Sequence, residues 1–588
     1  MKHNNAGNAT LVANDAERIP QPQENARIGA NESLAGLASI SLLIAIIAFF
    51  LRAFRLDQAI DLHIDEIYYI GISHSLEKSI HPTFNGLPFY IHPPALFVIE
   101  SLYFKVMHLK GNEVHDVFAA RYINIMLSSL CAAAFFVMGY SIARWRAGLL
   151  AASLLAFDPF VVRINGWNIL ETPAIFWVVL GYALIFPAMS DERSHLPVWR
   201  AIIAGCAFGM GMLTKETTAF LTVFPLTICF ILHWSLTRRT LVVINMVAVS
   251  CYGIYVAIVI AIGDWRYLQN QKLSGLSRFI GVTKPTGFVP GFARKPTAPS
   301  VSDRPSLLDA IISNLERLGT TYVLLGTGLI AICILLQIGG ARKHLLATWA
   351  ACAYALIVYS VLFGTLEEQF FYFVIPSSIL ATVVAGTLLF HADAWPSLFT
   401  WPTILGWTRR RPNLDDIRAN VAYLWVVKAA RVMFAGVIAL IIIWSISAWI
   451  SIHTATDNGY DRLIGYLEHN VPLGSRVAVG DELQDLLLDN RYTTGKWVTP
   501  ESIRINHAQY AVISAKNVEK GYGYARLPFY RWLMSNATLV FSFNGKRYGV
   551  LSVYAIPDDS PPAVTDYPRE ATPDVRLCPE SSVNRSPL

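Results

Sequence analysis

Charge is scarce in this chain of 588 residues: 15% are Asp, Glu, Lys or Arg, where a soluble globular domain typically carries about 25%. With 54% hydrophobic residues, most of its surface must be hidden in lipid. The excess of positive charge is small, a formal +6, and the basic residues are scattered over loops rather than striped along a face. That leaves no case for a nucleic-acid partner. Cysteine is sparse and unpaired. Six of the seven (Cys131, Cys206, Cys229, Cys251, Cys333, Cys352) lie inside apolar runs and Cys578 stands alone in the tail. With no CxxC pair, neither a zinc site nor a disulfide framework is indicated. A thiol in an apolar run is a small hydrophobe. Residues 1–34 have no early apolar core; polar and rich in Asn and Ala, they read as a disordered cytosolic tail rather than a cleaved signal peptide.

Long apolar runs are what the chain has instead. Crossing a bilayer takes about 20 apolar residues. Eleven stretches qualify, near 35–54, 118–140, 147–162, 170–189, 199–213, 217–235, 240–262, 320–338, 345–363, 369–391 and 425–450, the third and fifth being short. With the N-terminus inside, every inner loop is basic: Arg144 and Arg146, Arg193 and Arg200, Arg238 and Arg239, Arg342 and Lys343, then Arg409 to Arg411 with Arg418 and Lys428. This positive-inside pattern puts residues 452–588 outside. The acidic clusters at the ends of the apolar runs fall on that same outer side.

The expected organisation is a tail (1–34), a helical membrane domain (35–450), an outer α/β domain (452–556) and a Pro- and Ser-rich disordered tail (557–588). The first outer loop, 55–117, contains amphipathic stretches, Glu66–Leu76 and Pro93–Met107, suited to the interface. A second outer loop, 264–319, reads as a mobile lid or an unstructured connector. In the outer domain, helix-like pieces (Tyr460–His469, Glu482–Asp489) alternate with strand-like ones (Arg476–Val479, Tyr510–Ile513, Tyr548–Tyr554).

Five polar elements stand at the outer rim. Asp65-Glu66 follows the first span; acids favour helix N-termini through the macrodipole, but a carboxylate at a membrane rim can also act as general base. His92-Pro93-Pro94 opens an apolar helix, where prolines suit the first turn and His92 could contact a phosphate or accept a proton. Residues Arg163 to Pro173 set Arg163, Asn168 and Glu171 in one turn. Lys215-Glu216 occupies a turn almost too short to leave the membrane. It is either a local ion pair or, through Lys215, an anchor for an anionic headgroup. Glu367-Glu368-Gln369 runs on to Tyr372 and Pro376. Ionisable groups beside hydrocarbon are expensive and usually functional.

In this order and on this face, the five elements resemble those of the GT-C class of membrane glycosyltransferases. The branch is that of the protein O-mannosyltransferases (glycosyltransferase family 39) and the lipid A aminoarabinose transferases, over roughly residues 35–390. The resemblance implies an inverting transfer of a sugar from a polyprenyl-phosphate carrier to an acceptor at the outer face. It implies Asp65 as catalytic base, with Glu66 supporting it or binding donor. Lys215 would be the phosphate ligand, with Arg163 and His92 as further candidates for that task. Glu171, Glu216, Glu368 and Tyr372 would complete the substrate-binding set; Glu171 stands where many relatives have aspartate. No cofactor is required, and a divalent cation is not indicated. The acceptor is open among protein, glycolipid and cell-wall polymer, and so is the sugar. Two rivals stand beside this reading. A transporter or flippase should show internal repeats and charges near the bilayer midplane, and neither is visible. A non-catalytic scaffold or sensor would use the outer domain as a binding module and leave Asp65 and Lys215 dispensable. Without organelle signals or large lumenal insertions, the expected location is a bacterial plasma membrane.

Overall fold

A computed structural model describes residues 25–109, 113–190, 195–280, 307–362, 370–389, 421–519 and 523–557. Backbone polar groups in hydrocarbon have no water to bond, so apolar runs fold as helices. In chain order the membrane part comprises α1 (Asn25–Ala53), α2 (Leu56–Ala59), α3 (Ile64–Lys78), a small hairpin β1 (Thr83–Phe84) and β2 (Leu87–Pro88), α4 (Ala95–Met107), α5 (Glu113–Phe157), α6 (Pro159–Asn165) and α7 (Glu171–Ile185). It continues with α8 (Val198–Thr214), α9 (Val223–Ile231), α10 (Arg238–Ala261), α11 (Trp265–Phe279), α12 (Leu307–Ile338), α13 (Ala341–Leu362), α14 (Phe371–Leu389) and α15 (Val421–Thr454). Among the described residues, 8 helical stretches are long and apolar enough to cross a membrane, and two shorter apolar ones, Val198–Thr214 and Glu216–Ile231, accompany them. The expected fold class is borne out: a mainly helical polytopic membrane protein with a small C-terminal α/β domain.

The 44-residue stretch Val114–Phe157 holds two of the expected spans. Its backbone leaves the helical region at Ala143 (φ −141°) and Arg144 (φ 67°), and the chain doubles back. The legs nearly touch: a Cβ on Gly148 would lie 2.5 Å from the Phe136 carbonyl oxygen. Small residues likewise let α8 approach α10, where a Cβ on Gly205 would sit 2.8 Å from the Ile244 carbonyl. The 217–235 run does not form one continuous helix. Lys215 is extended (φ −153°, ψ 120°), a 3-10 turn covers Glu216–Leu221, and α9 starts only at Val223.

The 264–319 connector expected as lid or unstructured loop is helical at both ends. α11 is an amphipathic helix stapled to the first outer loop, and α12 begins at Leu307. Gln271 accepts from the Tyr90 N–H (2.5 Å) and donates to the Pro88 carbonyl (2.7 Å). Asp264 accepts from the Tyr90 hydroxyl (2.6 Å) and meets His81 Nδ1 (2.8 Å). The intervening residues 281–306 lie outside the described ones.

The C-terminal domain comprises α16 (Gly459–Asn470), β3 (Arg476–Val479), α17 (Glu482–Leu488), β4 (Thr493–Gly495), α18 (Pro500–Ile505), β5 (Tyr510–Ser514), α19 (Ala515–Glu519), α20 (Leu527–Asn536), β6 (Thr538–Gly545) and β7 (Gly549–Ala555). The sheet order is β4-β3-β5-β7-β6, parallel among β4, β3 and β5 and antiparallel beyond. Ala511 and Ile513 face a core with Phe529 and Leu533, while Val477, Val479, Val512 and Val553 face the other side. That second core is shared with the membrane part through Leu62, Ile67, Ile70, Phe104, Val117 and Ala120. Domain and bundle are therefore fused across one apolar layer. Polar contacts lock the seam. The buried Asp61 carboxylate accepts from the N–H groups of Leu62 (2.9 Å), Gly459 (2.9 Å) and Tyr460 (3.3 Å). Tyr548 donates to the Leu62 carbonyl (2.7 Å).

Stranding a buried donor costs about 1–3 kcal/mol. Asp61→Ala, which strands those of Gly459 and Tyr460, is expected to lower the melting temperature of the detergent-solubilised protein by several degrees. Asp61→Asn, which keeps an acceptor, should lose less. Equal melting of all three by scanning fluorimetry would contradict the seam.

Candidate functional site

The N-terminus of α3 divides the two acids of the Asp65-Glu66 pair. His63 is the N-cap: its Nδ1 accepts from the Asp65 N–H (3.1 Å), while Glu66 Oε2 accepts from the His63 N–H (2.7 Å), closing a capping box. Successive helical residues point about 100° apart, so with Glu66 turned inward Asp65 faces outward, its side chain 34% exposed. The 3.9 Å between His63 Nδ1 and Asp65 Oδ2 is not an ion pair, because that nitrogen is already an acceptor. Burial, together with the positive charges of Arg547, Arg163 and Arg121, holds the His63 imidazole well below the ordinary histidine range. It is neutral at pH 7.

Glu66 is fully buried and fully bonded. Arg121 grips it with Nε (2.8 Å) and Nη2 (2.8 Å), and the Asn168 N–H donates to Oε1 (2.7 Å). Arg121 also donates to the carbonyls of Ile60 (2.7 Å) and Asp61 (3.0 Å). Three residues along α5, Asn124 donates to the carbonyls of Trp167 (2.7 Å) and Ile169 (3.0 Å). One face of α5 thus holds both the segment before α3 and the turn between α6 and α7. A carboxylate so committed has no oxygen left for a substrate. This geometry has Glu66 fix the start of α3 behind Asp65.

The 163–173 turn joins most of the other candidates. Arg163 lies over the Trp167 ring (5.1 Å), against which the His63 ring also packs (5.1 Å). Asn165 Oδ1 accepts from Thr172 (3.0 Å) and from Tyr372 (2.5 Å). Tyr372 is buried and holds the turn through this bond. Glu171 pairs with the Lys215 ammonium, which also lies over Phe370 (5.8 Å) and Phe373 (5.6 Å). The local pair with Glu216 does not form. Glu216 turns away to Lys272 of α11 and to Tyr252 (3.2 Å), so it is an anchor for α11, not part of this cluster. His92 contacts Tyr69 (6.1 Å between rings), which lies one helical turn after Asp65 on the same face of α3. Glu368 lies outside the described residues.

Sequence reasoning missed Arg121, Asn124, Trp167, Glu100 and Arg547. Arg121 and Asn124 are legible in hindsight, an arginine and an amide three apart in an apolar run. Glu100, on α4, is buried and accepts from Ser73 (2.5 Å) and Asn168 Nδ2 (2.5 Å). Burial raises its carboxyl to about 7, the Ser73 and Asn168 hydrogen bonds pull the other way, and the Glu66 charge adds to the rise.

A profile of the dolichyl-phosphate-mannose-protein mannosyltransferase family matches residues 95–274. The chain resembles a glycosyltransferase. The resemblance read from the sequence is borne out over this stretch, which contains the 163–173 turn, Lys215 and Arg121 but neither Asp65 nor His92. No curated protein sequence matches the chain. Among solved structures, ArnT from Cupriavidus metallidurans bound to undecaprenyl phosphate aligns at TM-score 0.48 and 15% identity, covering 90% of this chain and 99% of that one. The archaeal oligosaccharyltransferase AglB from Archaeoglobus fulgidus, in complex with an inhibitory peptide and a dolichol-phosphate, aligns at 0.47 and 13%, covering 89% and 75%. The arabinofuranosyltransferase AftD from Mycobacteria aligns at 0.42 and 13%, covering 90% and 41%.

Glu100 generates a pH signature. Its folded pKa, about 7, exceeds the ordinary 4.5, so between those values the folded state binds more protons than the unfolded one. Stability therefore falls as pH rises through that window. Glu100→Gln mimics the protonated acid and should flatten the melting temperature between about pH 5 and pH 8. A variant whose profile parallels that of the wild type would remove Glu100 as the cause.

Proposed function

We propose that this protein is an integral-membrane inverting glycosyltransferase that moves a sugar from a polyprenyl-phosphate carrier to an acceptor hydroxyl. What supports the reading is an outward-facing carboxylate, Asp65, on the helix start that Glu66 ties to the 163–173 turn, and a lysine, Lys215, paired with Glu171 of the same turn. Asp65, held by the capping box and by Glu66 behind it, is the general base. Lys215, steered by Glu171, is a cation for the departing phosphate, with Arg163 and His92 as further candidates for the same task. The family profile over residues 95–274 supports a lipid-phosphate-linked sugar as donor.

The chemistry fits these groups. Displacement at an anomeric carbon passes through oxocarbenium-like character, and inversion needs one base aligned behind the sugar. Positive charge stabilises the phosphate as it leaves, and each well-placed donor is worth about 3–4 kcal/mol. A carrier lipid also accounts for a hydrophilic reaction housed in a membrane protein. The acceptor is a hydroxyl of a protein, a glycolipid or a cell-wall polymer. With the N-terminus cytoplasmic and the α/β domain extracytoplasmic, the reaction takes place at the outer face of a bacterial plasma membrane.

Proteoliposomes supplied with radiolabelled polyprenyl-phosphate sugars test the reading. Asp65→Asn should lower carrier-dependent transfer or hydrolysis by about 10²–10⁴-fold, with unchanged melting temperature. Lys215→Ala should act mainly by weakening donor binding. Near wild-type turnover in Asp65→Asn would rule out Asp65 as base, and a wild type that ignores every carrier would sink the enzyme reading.

A further inference from the structure

One of the arginines around the candidate site comes from the far end of the chain. The turn between β6 and β7 carries Lys546 and Arg547. Lys546 Nζ donates to the Ser451 carbonyl near the end of α15 (2.9 Å), and the Arg547 N–H donates to Asp457 just beyond that helix (3.3 Å). The turn is thereby pinned at the end of α15, a helix long and apolar enough to cross a membrane. From there the Arg547 guanidinium reaches 4.1 Å from the centroid of the Trp167 ring, which Arg163 also contacts at 5.1 Å. His63, the N-cap beside Asp65, packs on the same indole.

This guanidinium is poorly compensated. Its Nη1 is buried and makes no hydrogen bond, and among the described residues no carboxylate lies within ion-pair distance of it. The three nearby acids are already engaged, Asp457 by the N–H of Arg547 itself. Glu66 is held in the fork of Arg121, and Asp61 accepts from three backbone N–H groups. Tyr548 engages the guanidinium on one side, but a buried nitrogen left without a hydrogen bond is costly, and an arginine with such a nitrogen is a ready partner for an anion.

We propose that Arg547 is a substrate-binding residue which, with Arg163 on Trp167, holds the phosphate of the lipid carrier. The inference rests on the glycosyltransferase reading and adds the C-terminal domain to its active site. In the transfer, the bond from the anomeric carbon to the phosphate oxygen breaks and its electron pair stays on that oxygen. The acceptor oxygen bonds to the anomeric carbon, and its proton passes to Asp65. The carrier changes from a phosphodiester with one negative charge to a phosphate monoester with a second. Two guanidiniums, whose planar forks match phosphate, favour the state in which that second charge develops. Lys215 differs in being matched already by Glu171. A place at the end of a helix of membrane-spanning length favours a lipid phosphate over an acidic group on a soluble acceptor.

The test uses the full chain in detergent and undecaprenyl phosphate as the probe, with affinity read by microscale thermophoresis and folding by melting temperature without lipid. Arg547→Gln should bind at least about 10-fold more weakly, since each 1.4 kcal/mol is tenfold and a charged hydrogen bond is worth that much. Arg547→Lys should fall between, at unchanged melting. If Arg547→Gln does not fold, Arg547→Lys decides. Weakened binding at wild-type melting supports the proposal, and wild-type affinity overturns it. Wild-type affinity in Arg547→Gln overturns it while leaving the glycosyltransferase reading intact. Failure of the wild type to bind undecaprenyl phosphate overturns both.

Discussion

Two opposite charges buried together, Glu66 and Arg121, join the elements on which the candidate site depends. Taking each from water costs several kcal/mol, and only good geometry with further hydrogen bonds offsets it. Both conditions are met here, by a two-pronged contact at 2.8 Å and by the backbone groups of His63, Asn168, Ile60 and Asp61. The pair is more than a local stabiliser, since it ties the start of α3, one face of α5 and the turn after α6. Remove either partner and the other is left as an uncompensated buried charge, a loss of about 3–5 kcal/mol. The outward direction of Asp65 follows from this arrangement, because the neighbour it shares a helical turn with is held facing in.

The C-terminal domain depends on the same seam. Asp61, whose carbonyl accepts from Arg121, uses its carboxylate to hold the first turn of α16. The apolar layer beneath mixes side chains of α3, α4 and α5 with those of α16, α17 and the sheet. A binding module tethered to a membrane scaffold would bury its core alone and meet the bundle through a small polar surface. This domain shares its core with the helix that carries Asp65, so its position is set by the same contacts that set the site.

Much of this architecture was legible. The apolar runs announced the spans because length and hydropathy are nearly sufficient in lipid, and the C-terminal helix at 460–469 and strand at 476–479 showed their periods. Less visible were the places where helices break. The 217–235 run has no Asp, Glu, Lys or Arg, yet the extended Lys215 and a 3-10 turn delay α9. α11 was hidden for the opposite reason: its mixed polarity reads as loop until Gln271 and Lys272 are seen anchoring it to residues 88–91. Of the site, the order of the motifs was readable, but the direction of each side chain was not. Asp65 and Glu66 are adjacent in sequence and opposite in environment. Lys215 and Glu216 look like a pair and bind different helices. Arg547 carries no local signal, because only the folded seam brings residue 547 to residue 167.

Asn168 shows how closely charge has to be managed in such a place. Its backbone N–H serves Glu66 and its side chain serves Glu100, so two buried carboxyls share one residue. Two adjacent ionised carboxylates in a poorly solvated site repel, and one is driven to keep its proton. The division is settled by Arg121, which meets Glu66 and not Glu100. Glu66, bound to Arg121, fixes the helix, while Glu100, raised to about 7 by burial, sits near the midpoint of its titration in neutral solution. The same argument covers His63, kept neutral by burial and three arginines, so that its Nδ1 stays an acceptor and the cap it makes on α3 survives. Around Asp65, then, the flanking groups have their protonation states set by burial and by arginines. Asp65, by contrast, turns away from these groups with its side chain 34% exposed.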